Sequence, residues 1–268
     1  MHAKSTVFIT GADRGLGFET VKALLQSSNA HTIFIGALLI RDAENAVKRA
    51  QSELPQTKSN LEAVEIDIES DESIQSAFEK VSSKCGKLDT LINNAGAQFE
   101  TAQAEGRLTL REAWNKSWSV NVTGAQVLTH VFVPLLLKST NPRVIFLTSG
   151  TSTLEETYIS VYPFNHSPVK GWPKEQDPAA SFPAYRSSKT GLNMMMREWE
   201  RTLKHDGVKV FCCDPGFSAT NLGGSPDQMK KIGAQDPAIG GAFIKDVVEG
   251  NRDQDAGKVL RIDGIQPW

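Results

Sequence analysis

Short β-branched apolar runs alternate with segments of helical periodicity along nearly all of the 268 residues, and no other feature restricts the fold so strongly. Thr6-Val7-Phe8-Ile9-Thr10 has the pattern of a buried strand and stops at Gly11. A helix is expected from about Gly15 to Ser27, then a strand over Thr32–Gly36. The next helix has Ala46, Val47, Ala50 and Leu54 on one face, Asp42 as its expected cap and Pro55 at its end. A third strand follows from Leu61 to Asp67. Ser70 is placed to cap a third helix, with Asp71 and Glu72 complementing the dipole of its first turn. Ile74, Ala77, Phe78 and Val81 recur at helical spacing before Cys85-Gly86. The alternation continues with a strand near Leu88–Asn93, a long helix near Trp114–Leu137 and a strand over Val144–Thr148. A helix from Tyr185 to Lys204 and strands over Val208–Cys213 and Lys258–Ile262 complete it. Seven strands with helical crossovers predict one α/β domain: a doubly wound, seven-stranded parallel sheet with helices on both faces.

Composition excludes several functions. A net charge of −2 lacks the basic footprint of a nucleic-acid binder. No apolar run reads as a bilayer span, which needs roughly 20 residues. Met1-His2-Ala3-Lys4-Ser5 leads almost directly into the first strand without the pattern of a signal peptide, so a cytoplasmic location is expected. Adjacent Cys212 and Cys213 would point to opposite faces of a strand, which argues against a disulfide framework. The five histidines show no ligand spacing, so no metal is expected.

The segment Thr10-Gly11-Ala12-Asp13-Arg14-Gly15-Leu16-Gly17 lies between the first strand and first helix. Glycines there let the backbone turn tightly and approach a pyrophosphate seated on the helix N-terminus. A site for NAD usually places a carboxylate about 20 residues after the glycines. Here that position holds Ala37-Leu38-Leu39-Ile40, followed by Arg41. Arg14, Arg41 and the missing carboxylate favour a 2′-phosphate and hence NADP(H), although Arg41 also reads as a solvated residue at a helix start.

Four further segments stand in order behind this loop: Asn93-Asn94-Ala95-Gly96, Asn121-Val122-Thr123-Gly124, Tyr185-Arg186-Ser187-Ser188-Lys189 and Pro215-Gly216-Phe217-Ser218-Ala219-Thr220. Together with the glycine loop they resemble the short-chain dehydrogenase/reductase family, a Rossmann-fold family, over most of the chain. The resemblance implies strand order 3-2-1-4-5-6-7. It also implies that Asp67 and the backbone of Ile68 meet the adenine, and that Asn94, Ala95 and Gly96 support the middle of the coenzyme. Pro215, Gly216, Ser218 and Thr220 would hold the nicotinamide amide. Leu38 departs from NADP-dependent carbonyl reductases of the family, which often carry arginine just after the second strand. The segment at about 155–183 is longer than in compact members and reads as an insertion, similar to those of monomeric carbonyl reductases. The closing Gly264-Ile265-Gln266-Pro267-Trp268 is similar to reductases of fungal secondary metabolism.

The residues themselves suggest how such chemistry would run. Reduction of a carbonyl leaves an oxygen that needs a proton, and Tyr185 can supply it. Lys189 lies four residues on, on the same helix face, where an ammonium favours the phenolate; the resemblance gives it the nicotinamide ribose as well. Ser149 follows the fifth strand and can orient the substrate oxygen; alternation turns Thr148 away, and the resemblance places its serine at the later of the pair. The resemblance gives Asn121 a water beside Lys189. Each residue also has an ordinary reading: a packed tyrosine, a solvated lysine, an asparagine that satisfies helix backbone, a serine cap. Met194-Met195-Met196 overlaps a stripe of Leu192, Met196, Trp199 and Leu203, which reads as packing. Substrate selection is expected from the insertion, with Tyr158, Tyr162, Phe164 and Trp172, and from a lid at about 217–240. The aromatic residues suggest a flat or apolar carbonyl or alcohol substrate, and the assembly is expected to be a monomer or homodimer. The rivals are a nucleotide-binding regulatory module without chemistry and a non-redox relative (an epimerase, dehydratase or cyclase). Intact Ser149, Tyr185 and Lys189 argue against the regulatory module; the fold alone does not separate the oxidoreductase from the non-redox relative, which recovery of stoichiometric oxidised coenzyme would do.

Overall fold

In the computed structural model, which describes residues 4–159, 161–174 and 181–268, eight strands form one sheet. Strands β1 (Ser5–Ile9), β2 (His31–Ala37), β3 (Asn60–Glu65), β4 (Thr90–Asn93), β5 (Arg143–Leu147), β6 (Lys209–Cys213) and β7 (Val259–Arg261) run parallel. Strand β8 (Gly264–Ile265) returns antiparallel to β7, giving the order β3-β2-β1-β4-β5-β6-β7-β8. The expected seven-stranded parallel sheet therefore gains an eighth, antiparallel strand. Two residues are too few for any periodicity to announce them.

Helices α1 (Gly15–Leu25), α2 (Ile40–Glu53) and α9 (Pro237–Val248) cover one face; α3 (Asp71–Cys85), α6 (Ala125–Leu136) and α7 (Pro183–Leu203) cover the other. Cys212 and Cys213 divide between the two cores, and both are free thiols. Ser70 caps α3 by accepting from the Ser73 N–H, and Gly86 ends it in a left-handed conformation. The α7 stripe of Leu192, Met196, Trp199 and Leu203 is buried in the core.

Three local readings change. Asp42 lies in the first turn of α2 rather than at its cap; the cap position is Leu39, and the Ile40 N–H donates instead to Glu65 Oε2 at 2.8 Å. The long central helix begins earlier, at α5 (Leu110–Trp118), behind a capping box of Thr109 and Glu112. It widens into a π-type turn over Ser119–Gly124 before α6. This run, Leu110–Leu136, is 27 residues long and apolar enough to cross a membrane, contrary to the sequence expectation. Half of its most apolar window is buried, with Leu128, Phe132 and Leu135 in the core, so it is a core helix of this domain.

The short helices α4 (Glu100–Ala104) and α8 (Pro226–Lys231), and α9 itself, escape the periodicity reading. In α9, Gly240-Gly241 weakens the helical signal because the helix packs very closely on α1. A Cβ at Gly241 would lie 2.6 Å from the Glu19 carbonyl carbon.

Candidate active site

The parallel register brings the carboxyl ends of β1, β4, β5 and β6 to one edge of the sheet, the place where doubly wound folds bind ligands. After β1 the chain turns through Gly11 and Gly15, both with positive φ. Asn94 holds this turn from β4, its Nδ2 donating to the carbonyls of Thr10 at 2.7 Å and Gly11 at 2.9 Å. A Cβ at Gly17 would sit 2.4 Å from the Gly11 oxygen and 2.6 Å from Asn94 Nδ2, so the space admits only glycine. Arg14 is the N-cap of α1 but caps no N–H with its side chain, and the first turn carries no acid. The start of α1 thus presents backbone N–H groups and a positive dipole end to the edge. Ala95 packs under Gly11, the Thr220 side chain lies over Gly15, and Leu16 lies against Gly240.

Ser149, Tyr185, Lys189 and Asn121 gather beside this cradle. Ser149 lies just beyond β5 and caps a short turn, accepting from the Thr151 N–H at 3.2 Å and bonding the Thr151 hydroxyl at 2.9 Å. Tyr185 stands beside it. Thr148 points away to Asn193 Oδ1, at 2.6 Å, as alternation requires. Tyr185 lies in the first turn of α7, and Lys189 one turn later, 5.7 Å from its ring centroid. Lys189 Nζ donates to the Leu147 carbonyl at 2.8 Å. Asn121 sits in the π-type turn; its Oδ1 accepts from the Ala97 N–H, and its Nδ2 donates to the Ala97 carbonyl and to Ser188 Oγ. Gly96 leaves the room for this: a Cβ there would be 3.1 Å from Asn121 Oδ1 and 3.2 Å from Lys189 Nζ.

Burial dominates the electrostatics. It pushes the Tyr185 phenol well above its ordinary range; neighbouring Ser149 opposes the rise, and the charges of Asp214 and Glu100 add to it. Burial pushes Lys189 down to about 8. In the protein alone the phenol is thus a proton donor at neutral pH.

The short chain dehydrogenase family pattern matches residues 5–165 and 173–231. The chain belongs to the short-chain dehydrogenase/reductase family. It is 45% identical over 267 residues to the short-chain dehydrogenase/reductase tropE of Talaromyces stipitatus, covering 99% of this chain and 98% of that one. It is 46% identical over 275 residues to eupG of a Phoma species, with the same coverage. The fold is similar to that of NADPH-bound carbonyl reductase from chicken fatty liver, with a TM-score of 0.77 at 23% identity, covering 99% of this chain and 100% of that one. The family is one of oxidoreductases that use nicotinamide dinucleotides.

In this short-chain dehydrogenase/reductase the remaining expected positions are spread along the same edge. Asp67 Oδ1 accepts from the Glu69 N–H, and the Ile68 carbonyl would lie 2.5 Å from a Cβ at Gly124. Gly216 has positive φ, Pro215 accepts from Gln235 Nε2 at 2.9 Å, and Ser218 bridges Gln235. Arg14 and Arg41 share no partner: each pairs with its neighbouring acid, Asp13 at 3.3 Å and Asp42 at 3.6 Å. From α7, Arg186 donates to the Thr151 carbonyl and, in the insertion, to the Phe164 carbonyl and Asn165 Oδ1. Tyr162 and Phe164 stack at 5.3 Å, while Tyr158 and Trp172 are exposed. Residues 160 and 175–180 of the insertion lie outside the described residues.

Three buried residues at the site were missed from sequence. Asp214 Oδ1 accepts from the Gly216 N–H at 3.0 Å, and its Oδ2 would lie 2.7 Å from a Cβ at Gly150, so it sits between the Ser149 loop and the Pro215-Gly216 loop. Burial pushes its carboxyl up. Before a proline, an aspartate reads only as a turn residue. Gln266 donates to the Ser149 carbonyl at 3.3 Å and to Ser152 Oγ at 3.1 Å. Glu100 accepts from the Tyr185 N–H at 2.9 Å.

Proposed function

We propose that the chain is an NADP(H)-dependent oxidoreductase that reduces a carbonyl to an alcohol, or runs the reverse, with Tyr185 as general acid/base. The observation that carries this reading is Tyr185 buried in the first turn of α7 beside Ser149, with buried Lys189 one turn on and its Nζ 5.7 Å from the Tyr185 ring. The chain's own residues fit the coenzyme, because a Cβ at Gly17 would fill the cradle in front of an α1 start that has no side-chain cap. Gly11, Gly15, Leu16 and Gly17 would hold the pyrophosphate, with Asn94, Ala95 and Gly96 behind it. Asp67 and Ile68 would meet the adenine, and Pro215, Gly216, Ser218 and Thr220 the nicotinamide amide. Arg14 and Arg41 are exposed guanidiniums near an end of β2 that offers Ala37 and Leu38 rather than a carboxylate, which favours a 2′-phosphate.

When bound, the nicotinamide supplies or accepts the hydride. Ser149 orients the substrate oxygen, and Tyr185 delivers its proton to that oxygen. Lys189 places a buried ammonium beside the phenol and holds the nicotinamide ribose, with Asn121 bracing the same wall. The rings of Tyr162, Phe164, Phe182 and Tyr185 follow one another at 5.3, 5.8 and 6.3 Å, which supports an aromatic or apolar substrate. The insertion at about 155–183 and the segment at about 217–240 would then form the walls and lid of a single domain.

Coenzyme consumption tests the reading against a panel of quinones, aromatic ketones and aldehydes, with NADPH and NADH side by side. Turnover is expected with NADPH and lost in Tyr185→Phe. Coenzyme binding without turnover anywhere in the panel, or full turnover in the variant, would overturn it.

A further inference from the structure

Two points brace the start of α7 against the loop after β4. Asn121 clamps both backbone groups of Ala97 and reaches Ser188 Oγ, which itself donates to the Tyr185 carbonyl at 2.7 Å. The second point is Glu100. Helix α7 opens with Pro183, and its N-cap residue is Phe182, which has no side-chain acceptor. The N–H groups of its first turn therefore need partners from outside the helix. Glu100 Oε1 takes the Tyr185 N–H at 2.9 Å, and Oε2 takes the Phe99 N–H at 3.2 Å. The carboxylate is only 5% exposed, so it is held by backbone donors and the dipole of α7 rather than by water. A buried carboxylate is costly to keep, and this one holds the backbone of Tyr185, whose ring faces Lys189 Nζ at 5.7 Å.

We propose that Glu100 is a positioning residue for Tyr185, capping the catalytic helix from a neighbouring element and so fixing where the phenol stands beside Ser149. The proposal rests on the acid/base reading of Tyr185. Tyr185 is the third residue of α7, so fraying of that turn would move its ring directly. Misplacement of a reacting group by about 1 Å can lower a rate by roughly a hundredfold. Substrate and coenzyme contact other residues, so the loss belongs in kcat rather than in KM.

Three variants test this: Glu100→Ala removes the acceptor, Glu100→Gln keeps an acceptor without charge, and Glu100→Asp keeps the charge but withdraws the acceptor by a methylene. Amide exchange of the first turn of α7 is followed in coenzyme-free protein, together with kcat, KM and coenzyme Kd. In Glu100→Ala, faster exchange at the Tyr185 amide is expected with kcat lowered about 10- to 100-fold and KM and Kd within about twofold. Glu100→Gln should return both exchange and kcat to within about threefold of wild type; Glu100→Asp should resemble alanine, and decides the matter if alanine does not fold. Loose exchange with wild-type kcat would reduce Glu100 to a stability cap and overturn the proposal. Equal impairment of the glutamine and alanine variants would also overturn it. If the substrate panel gives no turnover, the acid/base reading fails, and the exchange data still show whether Glu100 caps the helix.

Discussion

The two ends of the strand-edge site are built on opposite plans. At the Tyr185 end Tyr185, Lys189 and Asn121 are buried, Ser149 is half-buried, and the polar groups are tied to the surrounding chain before any ligand arrives: Ser149 to Thr151, Lys189 to Leu147, Asn121 to Ala97 and Ser188. At the other end the side chains of Arg14 and Arg41 are 73% and 77% exposed, and among the described residues their ion pairs are with their sequence neighbours Asp13 and Asp42. A preorganised cluster has no reorganisation left to do during the reaction, whereas an exposed arginine acquires its geometry only when a ligand orders it. Substitutions should therefore be severe at the first end and mild and salt-sensitive at the second.

Tyr185→Phe is the largest expected effect. It removes one hydroxyl from the cluster and should lower kcat by roughly three orders of magnitude while leaving coenzyme Kd within a few-fold. A loss of less than about tenfold would break the contrast, because the buried end would then not depend on its proton donor.

Lys189→Met is expected to lower kcat by about two to three orders of magnitude. It should also raise stability at neutral pH by on the order of 1 kcal/mol, or a few degrees in Tm, because the buried ammonium is a cost to the fold. The pH dependence follows from the sign of the shift. The folded value is about 8, below the ordinary 10.5, so between these values the unfolded chain binds a proton that the folded one does not. Wild-type stability from this group thus rises from about pH 8 to 10.5, and the advantage of the variant should shrink over that window. Thermal melts of both proteins from pH 7 to 10 check this; an unchanging gap would mean that Lys189 carries no burial penalty.

How far the site could be read from sequence divides along the same line. Strand ends are marked by apolar runs, so the cradle and the preference for Ser149 over Thr148 follow from alternation, as does the core stripe of α7. Ser70 and Gly86 are equally legible, because a cap lies beside the helix it serves. Glu100 acts on a backbone N–H supplied by another segment, 85 residues away in sequence, and carries no local pattern, while Asp214, bonded to the nearby Gly216 N–H, reads from sequence only as a turn residue. The eighth strand was too short to see, and α9 was hidden by the glycines that let it approach α1.

Gly17→Ala probes the one part of the coenzyme end that is itself preorganised. The added methyl would meet the Gly11 oxygen and the Ala12 Cα, at 2.4 and 2.9 Å, and backbone atoms cannot swing aside. A loss of about 1–3 kcal/mol in stability is expected, with coenzyme Kd raised about 30- to 100-fold for NADPH and NADH alike. Unfolding midpoints and coenzyme titrations report the two separately, and wild-type affinity would show that the cradle yields.

Arg14→Ala should be the mildest change and the most selective. Its guanidinium is mostly solvated and, among the described residues, paired with Asp13, so removal leaves the fold untouched, within about 0.5 kcal/mol. If it meets a 2′-phosphate, NADPH should weaken about tenfold while NADH stays within about twofold, and the difference should narrow as salt screens the exposed charge. Titration of both coenzymes at low and high ionic strength gives four affinities. An equal loss for NADPH and NADH would mean that Arg14 supports the loop rather than reads the phosphate. Selectivity that persisted undiminished at high salt would mean that the arginine becomes buried with its ligand, so that this end, too, becomes tightly organised once occupied.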